Sequence, residues 1–168
     1  MDAKMSRTFK NCKEIQTRLS QVVSRIIETA KPDNLSLIGL NKGSYMFLVE
    51  LSRLVKSKTT VDMMFVDEKS GKVIKDIKSS LAQREVYVLV DRVADSEFLP
   101  KTIQELLKRG AASVRVLSVA GKKDQQLEGL AEPVQPLFEV AETQKLFGFG
   151  LEVDGRGANF PEILLIES

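Results

Sequence analysis

The sequence predicts an α/β fold with a mostly parallel central sheet, because short apolar runs typical of buried strands alternate with helical patterns. Three such runs are Leu35–Leu40, Val86–Val90 and Ser113–Val119. Parallel strands are buried on both faces, and the helices that connect them cover the sheet. The best-defined unit is Glu85–Leu99, in which a buried strand ends in acidic residues and a short turn leads into a helix.

The first half of the chain predicts helix, strand, helix and strand in that order. Apolar residues between Lys13 and Ala30 recur at the three- and four-residue spacing of a helix with one buried face. The segment Lys31–Asn34, which contains a proline, ends that helix. The following elements are a strand at Leu35–Leu40, a turn at Asn41–Ser44, a helix at Tyr45–Leu54, a strand at Thr59–Val66 and a short extended piece at Val73–Ile77.

The second half continues the alternation after the central strand. A helix is predicted near Leu99–Leu107, and Lys108–Gly110 has the basic residues and glycine typical of a helix C-terminus. A strand follows at Ser113–Val119, whereas Gln125–Pro136 is irregular and its prolines exclude a long helix. Short strands at Phe147–Glu152 and Ile163–Ile166 are predicted on either side of a glycine-rich loop, Asp154–Asn159.

Composition limits the chemistry. The 168 residues suit one domain, 1–168, and the chain contains no histidine, which excludes Ser-His-Asp triads and imidazole acid–base catalysis. Cys12 is the single cysteine, so an intrachain disulfide is impossible and a cytoplasmic location is expected. The longest apolar runs are far shorter than the ~20 residues that cross a bilayer, so we expect no membrane partner. A net charge of +2 without a basic stripe argues against nucleic-acid binding.

The carboxyl end of the central strand is the predicted place for chemistry. Ligands of open α/β sheets bind there, and the N-terminus of the following helix suits a phosphate. Asp91 and Asp95 are four residues apart in this turn.

Five segments, in one order from about residue 13 to 166, resemble the purine phosphoribosyltransferases of the hypoxanthine-guanine type, within the type I phosphoribosyltransferase family. They are Ile38–Phe47, Val61–Met64, Val88–Ser96, Ser113–Lys122 and Gly148–Ile163. The resemblance implies the type I phosphoribosyltransferase fold, with a small hood from the chain termini, and a homo-oligomer. It also implies purine salvage, in which phosphoribosyl pyrophosphate (PRPP) and a purine base give a purine nucleotide and pyrophosphate, with Mg²⁺ as cofactor.

The resemblance also assigns roles to residues. Asp95 matches the acid/base carboxylate of the family, which handles the proton on the imidazole nitrogen of the purine. The positions that match the PRPP and phosphate contacts are Lys42, Gly43, Asp91, Ser96 and Glu97. The peptide between Lys42 and Gly43 matches one that is cis in the family.

Purine and metal contacts are implied in the same way. Lys122 matches the lysine that reads the exocyclic oxygen of the purine, and Phe138 lies near the position of an aromatic residue that stacks on the base. Glu152 replaces an aspartate near the metal and pyrophosphate, and together with Asp91 it is the candidate Mg²⁺ ligand.

Each of these residues also has a purely structural interpretation. Asp95 can be an acid that favours the helix dipole, and Lys42–Gly43 is a common turn sequence. Lys122 can be a solvated lysine and Phe138 a core residue.

Several positions depart from the family pattern. Arg92 stands where the family has a second acid that holds the ribose hydroxyls, and it reverses the local charge. In the phosphate cradle Glu97 replaces glycine and Leu99 replaces threonine. Gln135 replaces part of the aromatic stack, and Ala158 replaces a pyrophosphate-binding arginine that only Arg156 is near enough to substitute.

These departures predict a transferase whose activity is weakened or lost. The alternative is a non-catalytic protein that uses the same scaffold to sense a nucleotide or bind a partner.

Overall fold

The protein structure, a computed structural model, describes residues 6–93 and 98–167. Its helices are α1 (Cys12–Thr29), α2 (Tyr45–Leu54) and α3 (Phe98–Lys108). Its strands are β1 (Ser6–Lys10), β2 (Leu35–Leu40), β3 (Thr60–Val66), β4 (Val73–Lys75), β5 (Glu85–Arg92), β6 (Ser113–Gly121), β7 (Gln135–Glu139), β8 (Leu146–Phe147) and β9 (Ile163–Ile166).

The central sheet has the order β4-β3-β2-β5-β6-β7. All its neighbouring pairs are parallel except β3 with β4, which is antiparallel. The strands β2, β5 and β6 are buried along most of their length, as their apolar runs indicate. The predicted α/β fold with a mostly parallel sheet is therefore confirmed.

Two hydrophobic cores sandwich the sheet. Helices α1 and α2 pack on one face, with Leu19, Phe47 and Leu51 fully buried, and α3 packs on the other, with Ile103 and Leu106 fully buried. The apolar residues of α1 form one buried face, and Asn11 begins this helix with a reciprocal capping box to Glu14.

A second sheet, with the order β1-β9-β8, is built from both ends of the described chain. Its pairs are antiparallel. This sheet is the hood that the resemblance implies. It also determines where the loop that follows β8 lies relative to the central sheet.

The structure differs from the sequence prediction in three strands. The strands β1 and β7 were not predicted, because Ser6–Lys10 is polar and exposed and β7 contains Pro136. Pro136 is tolerated because β7 is an edge strand. The strand predicted at Phe147–Glu152 is wrong: β8 ends at Phe147, and positive φ angles from 148 to 150 turn the chain.

No helix in the described part of the chain is long and apolar enough to span a bilayer.

Candidate functional site

The loop after β2 is held in place by Asn41. Its backbone has a positive φ of 59°, and its side-chain oxygen accepts a hydrogen bond from the Val66 backbone nitrogen at 2.8 Å. Its side-chain nitrogen donates to the Glu68 carboxylate at 3.1 Å, and its backbone nitrogen donates to the Met64 carbonyl at 2.9 Å. These bonds tie the loop to the carboxyl end of β3.

Gly43 lies directly against Asp91, at the carboxyl end of β5. A Cβ atom at position 43 would overlap the Asp91 carboxyl group. Only glycine permits this approach, so Gly43 is required by the packing of the loop on the strand. Each peptide bond of the described residues is trans, including that between Lys42 and Gly43, so the implied cis bond is not observed.

The turn after β8 closes on the same loop. Gly150 has a φ of +93°, and a Cβ there would overlap the Gly43 carbonyl oxygen. The Gly150 nitrogen donates to the Ala158 carbonyl at 3.0 Å. The Lys42 Nζ atom lies 2.7 Å from Glu152 Oε2 in an ion pair. The structure thus brings together Lys42, Gly43, Asp91 and Glu152, which the sequence separates by up to 110 positions.

The electrostatics of this cluster favour a cation. Burial raises the pKa of the Asp91 carboxyl group, a hydrogen bond from the Arg92 backbone opposes that rise, and the negative charges of Glu68 and Glu152 add to it. The hydrogen bond with Glu152 raises the pKa of Lys42. Asp91 is therefore a mostly buried carboxylate with no ion pair of its own in the described part of the chain.

The donor set suits Mg²⁺ in chemical type. Residues 6–93 and 98–167 hold no group of three or more acidic, cysteine or histidine side chains that could bind a metal unaided. Magnesium, however, is commonly held by one or two carboxylates, with substrate phosphates and water completing its shell. Asp91 and Glu152 match that requirement.

Arg92 contacts the loop that precedes β8. Its guanidinium donates to the Gln144 carbonyl oxygen from Nη1 at 2.9 Å and to the Ala141 carbonyl oxygen from Nη2 at 3.5 Å. It therefore joins the end of β5 to the loop that leads into β8. Sequence reasoning missed this contact because its acceptors are backbone atoms about 50 positions away.

The two candidate purine contacts lie in different surroundings. Lys122, just after β6, forms an exposed ion pair with Glu142. Phe138, in β7, packs edge-on against Phe9 with ring centroids 6.3 Å apart, and Lys10 Nζ lies 5.5 Å from its ring centroid. Phe138 thus contributes to the packing of β1 on the central sheet, the structural role that the sequence left open.

The structure describes some of the remaining candidate residues but not others. Asp95, Ser96 and Glu97 lie outside the described residues. Gln135 and Pro136 belong to edge strand β7. The side chain of Arg156 is exposed, and its backbone pairs with that of Val153.

The fold that carries this site is that of the type I phosphoribosyltransferases. A hypoxanthine-guanine phosphoribosyltransferase from Bacillus anthracis has a similar structure, with a TM-score of 0.83, 20% sequence identity, and coverage of 95% of this chain and 97% of that one. A hypoxanthine phosphoribosyltransferase from Staphylococcus aureus superposes with a TM-score of 0.82 at 20% identity, covering 96% and 92%.

Sequence comparison finds relatives of the hypoxanthine-guanine type. The hypoxanthine-guanine phosphoribosyltransferase of Aquifex aeolicus is 27% identical over 165 residues, which are 92% of this chain and 90% of the relative. The enzyme of the same name from Dictyostelium discoideum is 28% identical over 155 residues, 83% of each chain. No family model matches the chain. The resemblance to hypoxanthine-guanine phosphoribosyltransferases is thus confirmed over most of the sequence.

Proposed function

We propose that this protein transfers the phosphoribosyl group of PRPP to hypoxanthine or guanine, at a rate well below that of an ordinary purine salvage enzyme. The observation that carries the proposal is the meeting of Lys42, Gly43, Asp91 and Glu152 at the carboxyl end of the sheet. These residues were selected by their match to PRPP- and metal-binding positions. The relatives named after the same reaction support it.

The reaction forms a bond between a ring nitrogen of the purine and C1′ of the ribose, and it breaks the bond from C1′ to the pyrophosphate oxygen. The pyrophosphate leaves with the electron pair, and the proton of the purine nitrogen passes to Asp95. Asp91 matches the acid of the family that faces the ribose, whose carbon becomes cationic in the transition state and is stabilised by a nearby carboxylate. Asp91 and Glu152 are the residues that would hold Mg²⁺, whose positive charge would offset the charge on the departing pyrophosphate.

The slow rate follows from side chains that no longer serve the substrate. Arg92 replaces a carboxylate, and its guanidinium is bonded to the Gln144 carbonyl. Ala158 has no charge to offer pyrophosphate. Each substitution removes a contact that would stabilise the transition state, and the loss of such contacts lowers the turnover rate.

The deciding experiment is an assay with PRPP, Mg²⁺ and either hypoxanthine or guanine, beside an Asp95→Asn variant. We expect slow nucleotide formation in the parent protein and none above background in the variant. Turnover as fast as that of an ordinary purine salvage enzyme would contradict the weakened site. Turnover unaffected by Asp95→Asn would contradict the role of Asp95.

Glu97 offers a test of PRPP binding that does not depend on turnover. A glutamate in an anion cradle adds negative charge near a phosphate, and a repulsion of about 1 kcal/mol weakens binding about fivefold. We expect Glu97→Gly to tighten Mg-PRPP binding by about that factor in calorimetry. A matched Glu128→Gly variant, on the exposed surface beside Gln104, should leave the affinity unchanged. Equal affinity in all three proteins would exclude Glu97 as the obstacle.

The second candidate is a nucleotide-sensing or partner-binding protein without transfer. It is favoured by Ala158, which replaces an arginine that binds pyrophosphate in the family, because PRPP carries a pyrophosphate group and a purine nucleoside monophosphate does not. Its expected result is a rise in unfolding temperature with inosine or guanosine monophosphate, in a protein that forms no product from PRPP.

Self-association is a further part of the proposal. The family resemblance favours a homo-oligomer, and light scattering of the purified chain measures its mass directly. A monomer at micromolar concentration would contradict it.

The cytoplasmic location stays a prediction.

A further inference from the structure

A cavity of about 720 Å³, largely open to solvent, lies at the end of the central sheet opposite the candidate active site. Its lining residues come directly before or at the start of three strands: Asp33 before β2, Thr60 in β3 and Arg84 before β5. A six-residue strand such as β2 is about 20 Å long. The cavity is therefore separated from the site around Asp91 by about the length of the sheet, and it is large enough for a small-molecule ligand.

The lining is basic and rich in hydroxyl groups. Three cations, Lys56, Lys58 and Arg84, face one acid, Asp33. Neither lysine forms an ion pair with any described residue. Within residues 6–93 and 98–167, the guanidinium of Arg84 donates a single long hydrogen bond, of 3.4 Å, to the Leu35 carbonyl. Most of the positive charge in this cavity is thus without a protein partner.

The hydroxyl groups in and next to this cavity also favour a ligand that accepts hydrogen bonds. Thr60 lines the cavity, and Ser36 is its register partner on β2. Each has a buried hydroxyl oxygen that finds no hydrogen-bond partner among the described residues. Buried polar atoms in folded proteins are nearly always hydrogen-bonded, so these two hydroxyls on neighbouring strands have hydrogen-bonding capacity that a ligand can use. Ser57 and Thr59 add two more hydroxyls, 3.2 Å apart.

We propose that this cavity binds a small anion that carries phosphate groups, at a site separate from the candidate active site. Phosphate oxygens accept hydrogen bonds and carry negative charge, and the lining supplies three cations and three hydroxyls against a single carboxylate. The loop 55–59 joins α2 to β3, and α2 begins directly after the loop that carries Lys42 and Gly43. The proposal does not depend on whether the protein transfers a phosphoribosyl group.

The test uses the full chain labelled with nitrogen-15 and inorganic pyrophosphate as the probe, in 150 mM salt. We expect saturable shifts of the backbone amides of residues 57–60 and 84–85. A Lys56→Gln/Lys58→Gln variant, in which both altered side chains are exposed, should weaken this binding about tenfold, since two of three cations are lost. The matched control is Lys13→Gln/Lys123→Gln, which removes two exposed lysines elsewhere.

The positions of the shifts separate this proposal from the proposed function. Shifts confined to residues 41–43 and 150–152 would report pyrophosphate at the candidate active site and would overturn the second site. Shifts at residues 57–60 that do not saturate, or that weaken equally in both double variants, would show unspecific charge attraction and would also overturn it. Saturable shifts at 57–60 that only Lys56→Gln/Lys58→Gln weakens would support it, even if no transfer is detected.

Discussion

Arg92 has a structural role that the sequence does not reveal. Its guanidinium is partly buried and donates to the carbonyl oxygens of Gln144 and Ala141. Hydrogen bonds to charged groups contribute about 1.5–3 kcal/mol, and removal leaves carbonyls unpaired. We therefore expect Arg92→Met to lower the free energy of unfolding by about 2 kcal/mol in urea titrations and to speed amide exchange in residues 141–145.

The matched control for Arg92 is Arg53→Met. Arg53 is 74% exposed and lies 3.9 Å from Glu50 in a surface pair. Such pairs contribute little, so the free energy of unfolding should change by less than about 0.5 kcal/mol. Equal losses from both substitutions would mean that the contacts of Arg92 do not stabilise the loop.

Asp91 predicts a pH dependence of stability. Burial raises the pKa of Asp91 above its ordinary value of 3.8. In the unfolded chain this carboxyl group loses its proton at the ordinary pKa, whereas in the folded chain it keeps the proton to a higher pH. The free energy of unfolding therefore falls as the pH rises through the folded pKa. We expect Asp91→Asn to be more stable than the parent protein at pH 7, and this difference to disappear below about pH 4. Urea titrations at pH 7 and pH 3.5 measure it.

Asp67 provides a control of opposite sign. Hydrogen bonds from the side chain and backbone of Ser70 lower the pKa of Asp67. Its carboxylate therefore stabilises the fold above its ordinary pKa, and that contribution is lost as the pH falls. Asp67→Asn should not stabilise the protein at pH 7. If both variants changed stability in the same direction, burial would not be the cause at Asp91.

At the scale of the elements, the turn after β8 requires glycine at position 150, and the effect of replacing it can be measured. Gly150 combines a φ of +93° with a close approach to the Gly43 carbonyl. Gly155 has a φ of +72°, but a Cβ there would meet no atom of the described residues within 4 Å beyond its chain neighbours. A positive φ costs an alanine about 1 kcal/mol, and the overlap adds to it. We expect Gly155→Ala to lose about 1 kcal/mol and Gly150→Ala at least about 2 kcal/mol in the free energy of unfolding.

The same pair of variants separates site packing from stability. The turn that contains Gly150 holds Glu152 next to Lys42. Gly150→Ala displaces this turn, so it should also weaken Mg-PRPP binding in calorimetry. Gly155→Ala leaves that turn in place and should bind as the parent does. A smaller loss of stability for Gly150→Ala than for Gly155→Ala would contradict the observed approach of the two loops.

Helices and strands that are determined by nearby residues are predicted accurately from the sequence, and those that depend on a distant partner are not. The bounds of β2 and α2 agree with the prediction at Leu35–Leu40 and Tyr45–Leu54, because apolar spacing and a flanking turn determine both. The strands β1 and β7 were missed, because each owes its conformation to a partner distant in sequence: β1 to β9 and β7 to β6.

For the whole molecule, the two cores share one sheet, and this predicts a single cooperative unfolding transition of residues 1–168. Phe47 lies in one core and Ile103 in the other, and both are fully buried. Truncating either to alanine should cost about 3–5 and 2–5 kcal/mol respectively. Circular dichroism and a fluorophore on Cys12, an exposed cysteine beside the hood, should report the same midpoint in each variant.

An exposed apolar residue supplies the control for this experiment. Ile74 is 70% exposed, so Ile74→Ala should leave the midpoint nearly unchanged. Two separate midpoints for the two probes would mean that the hood unfolds independently of the central sheet and would contradict a single domain.

The sequence by itself determined the fold class, most of the strands and helices, and the residues that match a phosphoribosyltransferase site, because periodicity and motif order are properties of the chain. Only the tertiary structure decided which side chains meet. Lys42 pairs with Glu152, Gly43 packs against Asp91, and Arg92 binds carbonyls of the loop before β8. These contacts join segments 48 to 110 positions apart, and their geometry depends on how the sheet and the hood are closed together, which no local pattern encodes.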